Sequence, residues 1–463
     1  MAGIKNGVKM LKAKKFYSIH DNYHLRLTPY QILSLGFIGL IFVGTLLLML
    51  PIATVTGEST AFVDALFTAT SAVCVTGLAV LDTGSYYSTF GQVIIILLVQ
   101  IGAFGFMTMT TVMAVLMRKK VQLKNRLVIQ EELNQCTFSG IVRLTMSIIK
   151  ITLLIEFIGG SFLALRFYQD LGLQGIYFGY WHAISAFCNA GFDIFSAGST
   201  QSSAYVDDFI FNIIITSLVF LGGLGFFVWI DVWRKKKFRE YALQSKVVLV
   251  TTVALIVLET VGIFLLEFDN SATLGSLSFQ GQIFSSYFQA AASRTSGLTT
   301  VDISSMADAT LFFIIIFMFI GASPGSTGSG IKTTTFAVIV AAIWSLIRGQ
   351  KEPTLFYRTI SSAIVYKAFA IFFTSATLIV TITMLLSISE KFAFLQILFE
   401  VVSAFSTTGL STGITSELST HGKLGLILTM FVGRIGPVTF ALAIALQHKK
   451  KVIQYPEGKI TIG

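Results

Sequence analysis

Four glycines recur along the chain, and each closes a turn of small or hydroxyl-bearing residues. They are Gly77, Gly191, Gly297 and Gly409, which follow one another at intervals of 114, 106 and 112 residues. Because glycine tolerates positive φ, the carbonyl groups of successive residues can all face one axis. Rings of carbonyl oxygens replace the hydration shell of a monovalent cation. The predicted ion-binding residues of these four glycine turns are Val75, Thr76, Gly77, Asn189, Ala190, Gly191, Thr295, Ser296, Gly297, Thr407, Thr408 and Gly409.

The residue types around the turns narrow the choice of ion. Hard oxygen ligands disfavour transition metals. The sequence places no ring of four carboxylates at the level of the glycines, which argues against a divalent-selective site. Asp82, Asp193 and Asp302 follow the turns closely and are expected to concentrate cations at an outer mouth.

Each glycine turn ends a repeated phrase that begins with an aromatic residue ten positions earlier. The phrases cover residues 67–78, 181–192, 287–298 and 399–410, and repeats at a regular spacing define the architecture of a chain. Their length predicts a short helix that enters a membrane without crossing it, and the negative C-terminal end of such a helix favours a cation. A glycine after one helix is an ordinary C-terminal cap, so the functional interpretation depends on the fourfold repetition.

Composition identifies the environment of these elements. Of 463 residues, 54% are hydrophobic and only 12% are charged, and the mean hydropathy is +0.78. A soluble domain carries about 25% charged residues, so the composition indicates a polytopic membrane protein. No cleavable signal peptide is evident at the N-terminus. Cys74, Cys136 and Cys188 give no disulfide framework and are expected to be free thiols.

Eight hydrophobic runs are long enough to span a bilayer of about 30 Å, and each phrase lies between an odd run and the next even run. The predicted unit is an outer helix, a re-entrant pore helix, a glycine turn and an inner helix. The expected fold is therefore all-α, with four parallel repeats around one central pore, and not the inverted repeats of many alternating-access transporters. The runs lie at 30–52, 89–117, 143–166, 207–233, 247–267, 309–345, 362–388 and 421–447. The predicted segments are an N-terminal tail at 1–29, pore repeats at 30–120, 121–239, 240–350 and 351–450, and a C-terminal tail at 451–463.

The net charge of +10 is concentrated in clusters between alternate hydrophobic runs, while the other connections carry acids. Cytoplasmic loops of membrane proteins are enriched in Lys and Arg. The pattern therefore places both termini and the basic loops in the cytoplasm, and it argues against nucleic acid as a partner. Basic loops also attract anionic lipid headgroups, so membrane lipids are expected contacts.

The sixth run is interrupted at residues 321–332, here named the intramembrane loop. Glycines and a proline prevent a continuous helix there, and irregular backbone at membrane depth is tolerated only beside protein or water. We expect this loop to lie below the glycine turns and to obstruct the path, as a gate. Its predicted gating residues are Gly321, Pro324, Gly325, Ser326, Thr327, Gly328, Ser329, Gly330 and Lys332.

Two arginines also stand out. Arg434 lies inside the eighth run, and an intramembrane arginine is by default a functional hypothesis. We expect it to donate to carbonyls of the intramembrane loop and to repel cations as part of the gate; a purely structural pairing is the alternative. Arg294 is expected to brace the third glycine turn through an acid that the sequence does not identify. Glycines in the other inner helices favour close packing, with a kink as the alternative.

These features resemble the superfamily of potassium transporters that includes the bacterial Trk and Ktr membrane subunits and the plant HKT proteins. The likeness covers essentially the whole chain and is greatest to the Ktr membrane subunit, with its B and D types both compatible. It implies that a glycine in each of the four turns favours potassium at the filter, that residues 321–332 are a gate, and that Arg434 belongs to that gate. Asn189 and Ala190 depart from the Thr/Ser-rich pattern of the other turns.

The resemblance also implies partners. They are a second copy of the chain in a homodimer and a cytosolic ring of RCK-type subunits (KtrA- or KtrC-like), which would carry the nucleotide, ATP or ADP. No covalent cofactor is expected, and potassium is the substrate. The expected location is the bacterial plasma membrane.

Three other functions are alternatives to a passive potassium pathway. A symporter coupled to sodium or protons needs an ionisable residue in the path, and the clear intramembrane ones in the sequence are basic; sodium can still act as an activator. A scaffold protein leaves the four phrases without a purpose. An enzyme is excluded because no acid–base or metal cluster supports one.

Overall fold

The structure, a computed structural model, describes residues 28–105, 141–195 and 205–444. Within these ranges it has fifteen α-helices, arranged as four successive repeats. The first repeat contains α1 (Pro29–Leu48), α2 (Phe62–Cys74) and α3 (Thr89–Phe104). The second contains α4 (Ile141–Leu171), α5 (Leu173–Cys188), α6 (Phe209–Gly223) and α7 (Phe226–Arg234). The third contains α8 (Leu243–Glu267), α9 (Phe279–Ala292), α10 (Asp308–Phe319) and α11 (Thr333–Ile347). The fourth contains α12 (Ser362–Ser389), α13 (Phe394–Ser406), α14 (Thr420–Ile435) and α15 (Pro437–Ile444).

The remaining regular structure is short. β1 (Thr354–Leu355) and β2 (Arg358–Thr359) pair antiparallel between the third and fourth repeats. Single 3-10 turns lie at Pro51–Ala53, Phe238–Glu240, Ile303–Ser305 and Ile414–Glu417. Both tails fall almost wholly outside the described residues, as do the basic clusters of residues 118–126 and 449–459 and the free thiol expected at Cys136.

Contacts between helices close the four repeats into a ring. The short helices α2, α5 and α13 each pack between the outer and inner helices of their own repeat, and α9 packs against the outer helix α8 of its repeat. Each also packs against the inner helix of the repeat before it, namely α14, α3, α6 and α10 in the same order. The contact of α2 with α14 joins the first repeat to the fourth. This is the all-α architecture of repeats around one axis that the sequence predicts.

The outer helices α1, α4, α8 and α12 are continuous. Each is long and apolar enough to cross a membrane, and in the described residues a fifth span is added if the bent pair α6 and α7 is counted as one. α1 begins with a capping box, in which the hydroxyl of Thr28 accepts from the amide of Gln31 and the Gln31 side chain accepts from Thr28.

Glycines also end or interrupt the other three inner helices, which the sequence analysis gives as the alternative to close packing. α3 ends at Gly105 with φ of 83°, α6 and α7 are separated at Gly225 with φ of 89°, and α14 and α15 at Gly436 with φ of 93°. A helical residue has φ near −63°, so the chain must change direction at each glycine. The bend between α6 and α7 is 97°.

A second glycine lies three residues before each break and serves close packing. A Cβ on Gly102 would lie 2.1 Å from the carbonyl oxygen of Val73. The equivalent distances are 1.9 Å for Gly222 to Phe187 and 1.9 Å for Gly433 to Phe405. Close packing and helix ending are therefore the roles of different glycines. The first glycine of each pair allows the short helix to pack closely, and the second ends the inner helix.

Polar caps set where the inner helices begin. Ser88, Asp208 and Ser419 each accept a hydrogen bond from an amide in the first turn of α3, α6 and α14. The third repeat lacks a side-chain cap at Ala307, and the carboxylate of Glu267 instead accepts from the Ala307 amide at 2.9 Å. These caps satisfy amides that an apolar sequence leaves without partners.

Candidate functional site

The four glycine turns meet at one level and form a closed ring. Every glycine has positive φ, between 66° and 94°. A Cβ on any of them would collide with the backbone of the next turn, so only glycine fits this approach. The distances from such a Cβ to the nearest carbonyl oxygen are 2.4 Å for Gly77 to Ala190, 2.7 Å for Gly191 to Ser296, 2.3 Å for Gly297 to Thr408 and 2.1 Å for Gly409 to Thr76.

Three of the turns share one conformation. Val75, Asn189 and Thr407 follow their helices in the left-handed region, with φ of 60°, 59° and 51°. The hydroxyls of Ser71 and Ser403 accept from the amides of Gly77 and Gly409, both at 3.1 Å. A left-handed residue after the helix is a common way to satisfy its last carbonyls, and here it also turns the chain towards the axis.

The third turn is different. Its helix ends at Ala292, Ser293 remains right-handed, and Thr295 has φ of 138°. The amides of Thr295, Ser296 and Gly297 all donate to the carbonyl of Ala292, at 3.2, 2.9 and 3.2 Å. Four glycines thus close the ring. The turns of the first, second and fourth repeats share one conformation, and the turn of the third repeat has another.

The turns present oxygen atoms in a buried setting. The hydroxyls of Thr76, Ser296 and Thr407 are buried without a hydrogen-bond partner in the described residues. Those residues contain no group of three or more His, Cys, Asp or Glu that could hold a metal ion. Neutral oxygens from carbonyl and hydroxyl groups suit a monovalent cation better than a transition metal.

Buried polar residues on the short helices fix the segments that follow the turns. Glu400 of α13 accepts from Ser411, Thr412 and Thr415, with the closest contact 2.6 Å from the Ser411 hydroxyl. His182 of α5 contacts Asp193 at 2.9 Å through Nε2. Glu400 was not identified from the sequence, although an acid in an otherwise apolar phrase was the available signal.

The three acids expected at the mouth are engaged locally. Asp193 pairs with His182 and accepts from the Phe195 amide at 2.6 Å. Asp82 accepts from the amide of Ser85 at 3.0 Å. Asp302 begins a 3-10 turn and is exposed; burial tends to raise its pKa, but hydrogen bonds from Ser305 and Ser304 outweigh this and hold the pKa below its usual value. Asp302 is therefore charged at neutral pH.

The intramembrane loop lies directly beneath the ring. A Cβ on Gly328 would be 2.6 Å from the hydroxyl of Thr295 in the third turn. The hydroxyl of Thr327 donates to the carbonyl of Phe187 at 3.3 Å and lies 2.8 Å from the amide group of Asn189, beside the second turn. The loop thus contacts two of the four turns from below.

The loop is also tied to the breaks of the inner helices. Amides of Ser323 and Thr327 donate to the carbonyls of Gly223 and Gly222, at 3.1 and 3.2 Å. At the bend after α6, the Phe226 amide donates to the carbonyl of Gly325 at 2.9 Å. These bonds satisfy loop groups that would otherwise be buried without partners.

The loop is held together by short internal contacts. The Ser326 hydroxyl donates to the Ser323 carbonyl at 2.6 Å, and the ammonium of Lys332 donates to the Gly328 carbonyl at 2.7 Å. Gly325 and Gly330 have φ of 68° and 75°. The carbonyl of Pro324 faces Gly225, where a Cβ would lie 2.6 Å from it.

Arg434 joins the loop to the opposite wall. Its guanidinium donates to the carbonyl of Thr327 and to the hydroxyl of Ser329, the latter at 3.3 Å. It also donates to the carbonyls of Gly102 and Ala103 at the end of α3. One side chain of the fourth repeat therefore links the loop of the third repeat to the inner helix of the first.

Two buried acids within the outer helices were not identified from the sequence. Glu156 of α4 is 4% exposed and accepts from the Gln100 side chain at 3.0 and 3.2 Å. Glu259 of α8 is fully buried. Both interrupt long apolar runs, and a charge inside a predicted span was the signal that could have found them. The statement that the clear intramembrane charges are basic is therefore wrong.

Comparison with known proteins is consistent across sequence and structure. The sequence model of the TrkH family, described as a cation transport protein, matches residues 7–455. The chain is 42% identical to the Ktr system potassium uptake protein B of Bacillus subtilis, covering 95% of this chain and 98% of that protein. It is 37% identical to the potassium/sodium uptake protein NtpJ of Enterococcus hirae, covering 95% and 98%. The crystal structure of the potassium transporter TrkH from Vibrio parahaemolyticus shares the fold, with a TM-score of 0.70, 18% identity and coverage of 92% and 87%.

Proposed function

This chain belongs to the TrkH family of cation transport proteins, and we propose that it is the ion-conducting subunit of a potassium uptake system in the bacterial plasma membrane. It is a transport protein and not an enzyme. The observation that carries the proposal is the closed ring of four glycine turns, in which each glycine packs against the carbonyl of the residue before the next glycine. Oxygen ligands arranged around one axis suit a dehydrated monovalent cation.

The choice of potassium comes from the relatives. The Bacillus subtilis protein is named for potassium uptake and the Enterococcus hirae protein for potassium and sodium uptake. The twelve residues of the four turns are the proposed ligands, with glycine present in every turn. Asp82, Asp193 and Asp302 form the proposed outer vestibule. Local hydrogen bonds fix these carboxylates in place, and their charge still attracts cations at long range.

The intramembrane loop is the proposed gate. It lies below the ring, contacts the second and third turns, and is joined by Arg434 to the far side of the path. The positive charge of Arg434 opposes cations, and its hydrogen bonds hold the loop in the path. Opening then requires that the hydrogen bonds from Arg434 to Thr327 and Ser329 break and that the loop moves out of the path.

The pore repeats are proposed to cover residues 30–120, 121–239, 240–350 and 351–450, with tails at 1–29 and 451–463 in the cytoplasm. The orientation is supported by the basic connections. Arg234 ends α7 and residues 235–237 follow it, and Arg348, Lys351 and Arg358 lie between α11 and α12. Loops rich in Lys and Arg stay on the cytoplasmic side.

The proposed partners are a second copy of this chain and a cytosolic ring of RCK-type subunits. The name of the Bacillus subtilis relative describes one protein of a system, which supports a separate regulatory subunit. The nucleotide would bind to that subunit and not to this chain. Basic residues after α7 and around β1 and β2 are the proposed contact surface on this chain, and lipid headgroups are the alternative occupants.

A symporter that couples potassium to sodium or protons is the second proposed function. Two observations favour keeping it: the name of the Enterococcus hirae relative includes sodium, and Glu156 and Glu259 are ionisable groups within the outer helices. Both acids belong to outer helices, whereas a group that couples potassium to another ion must line the ion path. The passive pathway therefore remains the first proposal.

Uptake of radioactive rubidium into liposomes that contain the purified chain separates the two functions. A passive pathway predicts uptake along the rubidium gradient alone, blocked strongly by potassium and weakly by sodium. Liposomes without protein are the control. Uptake that begins only when a sodium or proton gradient is imposed would exclude the passive pathway and establish the symporter.

A further inference from the structure

The second glycine turn begins with the residue that departs from the pattern of the other turns. Asn189 stands where the first and fourth turns have Val75 and Thr407. All three residues are left-handed, with φ of 59°, 60° and 51° in that order. The backbone conformation therefore does not require asparagine, since valine and threonine adopt it in equivalent turns. The contacts of the Asn189 side chain account for the difference.

The side chain of Asn189 is buried against the last turn of α6. The orientation of an amide follows from the hydrogen-bond groups around it. With its oxygen towards Gly223, it accepts from the Gly223 amide at 3.2 Å and from the Thr327 hydroxyl at 2.8 Å, while Nδ2 donates to the Val219 carbonyl at 3.3 Å. The reverse orientation would place the oxygen against acceptors alone. Asn189 thus joins the second glycine turn to α6 and to the intramembrane loop.

Thr327, in the middle of the loop, is held from two repeats other than its own. Its hydroxyl proton faces the Asn189 oxygen at 2.8 Å and the Phe187 carbonyl at 3.3 Å, both in the second repeat. Its carbonyl accepts from the guanidinium of Arg434 in the fourth repeat. Its amide donates to the carbonyl of Gly222 at 3.2 Å. Every polar group of Thr327 is therefore engaged, and the residue is 1% exposed.

The first residue of the loop is held separately, by Arg294 beside the third glycine turn. The Arg294 guanidinium donates to the carbonyl of Gly321 at 3.0 Å and to the main-chain carbonyl of Thr252 in α8 at 3.4 Å. Side chains from outside the loop therefore hold it at two places. Arg294 binds its first residue, and Asn189 and Arg434 bind its middle.

We propose that Asn189 is a positioning residue for the gate: its side chain binds Thr327 beneath the second glycine turn and so holds the intramembrane loop in its resting position, opposite Arg434. This rests on the proposed function of the loop as a gate. Movement of the loop would separate the two buried groups, and a buried polar group without a partner is costly. The contact therefore favours the resting position.

The two parts of Asn189 then have different roles. Its carbonyl remains one of the proposed ion ligands, whereas its side chain serves the gate. The departure of the second turn from the Thr/Ser-rich pattern accordingly reflects gating and not the choice of ion.

The test compares Asn189→Thr, Thr327→Val and the double variant with the wild type, by rubidium uptake into liposomes without the regulatory partner. Threonine at position 189 copies the fourth turn, where the Thr407 hydroxyl has no hydrogen-bond partner in the described residues. Valine at position 327 keeps the shape of the side chain and removes the hydroxyl. Each single variant is expected to raise basal uptake about threefold or more, as for the loss of one hydrogen bond, and to retain the preference for potassium over sodium.

The double variant is expected to exceed neither single variant, because both substitutions break the same contact. A variant that is merely destabilised would lose uptake and not gain it. If only one of the single variants folds, its basal uptake decides.

Thr252→Val is the matched control, with the same exchange of threonine for valine. Thr252 lines the same small cavity as Asn189, and its hydroxyl has no hydrogen-bond partner in the described residues. The main-chain carbonyl that Arg294 binds is kept. Basal uptake by this variant is expected to equal that of the wild type.

Three results would overturn the proposal. Folded single variants with wild-type basal uptake would show that the contact does not hold the loop. A rise in only one of two folded single variants would show that the contact is not its cause. Loss of the potassium preference in Asn189→Thr without a rise in basal uptake would assign the side chain to ion selection.

Arg434→Ala separates a failure of this inference from a failure of the proposed function. If it raises basal uptake while Asn189→Thr and Thr327→Val do not, the loop is the gate and only the role of Asn189 fails. If none of the three variants raises uptake, the proposed gate fails as well.

Melting temperatures decide on the contact itself if the wild type takes up no rubidium and the proposed function fails. A loss of melting temperature in the double variant that is smaller than the sum of the single losses supports coupling between Asn189 and Thr327. Strictly additive losses contradict it.

Discussion

Two successive layers along the axis are built from the same four repeats, yet only one of them is regular. In the upper layer, four glycines contact one another in turn through equivalent backbone approaches. In the lower layer, the inner helices of the first, second and fourth repeats each end at a single glycine, whereas that of the third repeat is interrupted by residues 320–332 between α10 and α11. An ion that must be surrounded by oxygens favours equivalence, while a gate needs one element that differs and can move. Under the proposed function, the upper layer selects the ion and the lower layer gates its path.

The upper layer is expected to be the most sensitive to substitution. Gly409→Ala would place a Cβ 2.1 Å from the Thr76 carbonyl oxygen, so the ring cannot keep its geometry. We expect rubidium uptake to fall more than tenfold, or the preference for potassium over sodium to disappear.

Gly413→Ala is the control for this prediction. Gly413 has a similar φ of 92°, but nothing lies within 4 Å of the position that a Cβ would take. Alanine there therefore causes the same backbone strain of about 1 kcal/mol as alanine at Gly409, without the collision. Uptake by Gly413→Ala is expected to remain near that of the wild type. Equal losses in both variants would show that strain, and not the ring contact, controls transport.

In the lower layer, we expect a substitution to change basal uptake more when its side chain would collide with the intramembrane loop. Gly225→Ala combines strain at φ of 89° with a Cβ 2.6 Å from the Pro324 carbonyl oxygen. Gly436→Ala has strain at φ of 93°, and its Cβ would lie 3.9 Å from the hydroxyl oxygen of Thr439. We expect Gly225→Ala to change basal uptake severalfold and Gly436→Ala to change it less than twofold. A larger effect in Gly436→Ala would contradict the special role of the loop.

Substitutions in the proposed outer vestibule should change rubidium uptake least. Asp302→Asn removes a charge but keeps the cap, because asparagine also caps helices well. We expect rubidium uptake to fall by less than about twofold at low ionic strength. The difference should vanish at about 1 M salt, where charges are screened within a few ångströms. A loss that persists at high salt would indicate a structural role for Asp302 instead.

The regular layer was the easier one to predict from the sequence. Glycines at matching positions identify the ring because only glycine fits a backbone approach of this kind, and the phrase around each glycine repeats. The helix ends at Gly105, Gly225 and Gly436 were harder to predict from the sequence. A glycine in an apolar run can serve packing or a bend, and the sequence cannot separate Gly102 from Gly105 in that respect.

Long-range partners could not be predicted. The sequence drew attention to Arg434 and Arg294 because charges are costly at membrane depth, but the carbonyls that they bind belong to other repeats or to distant residues. Backbone acceptors carry no sequence signature. Glu259 was overlooked for a related reason: a single acid in a long apolar run does not indicate which groups surround it in the fold.

The most direct test of the division between layers is to measure two quantities on one variant, Arg434→Ala. Rubidium uptake into liposomes is recorded without competitor and then with potassium or sodium outside. We expect basal uptake to rise severalfold, because the loop loses its link to the first repeat, while potassium still blocks uptake and sodium barely does. A folded variant whose uptake is unchanged or lower, or whose preference for potassium is lost together with the gate, would contradict it.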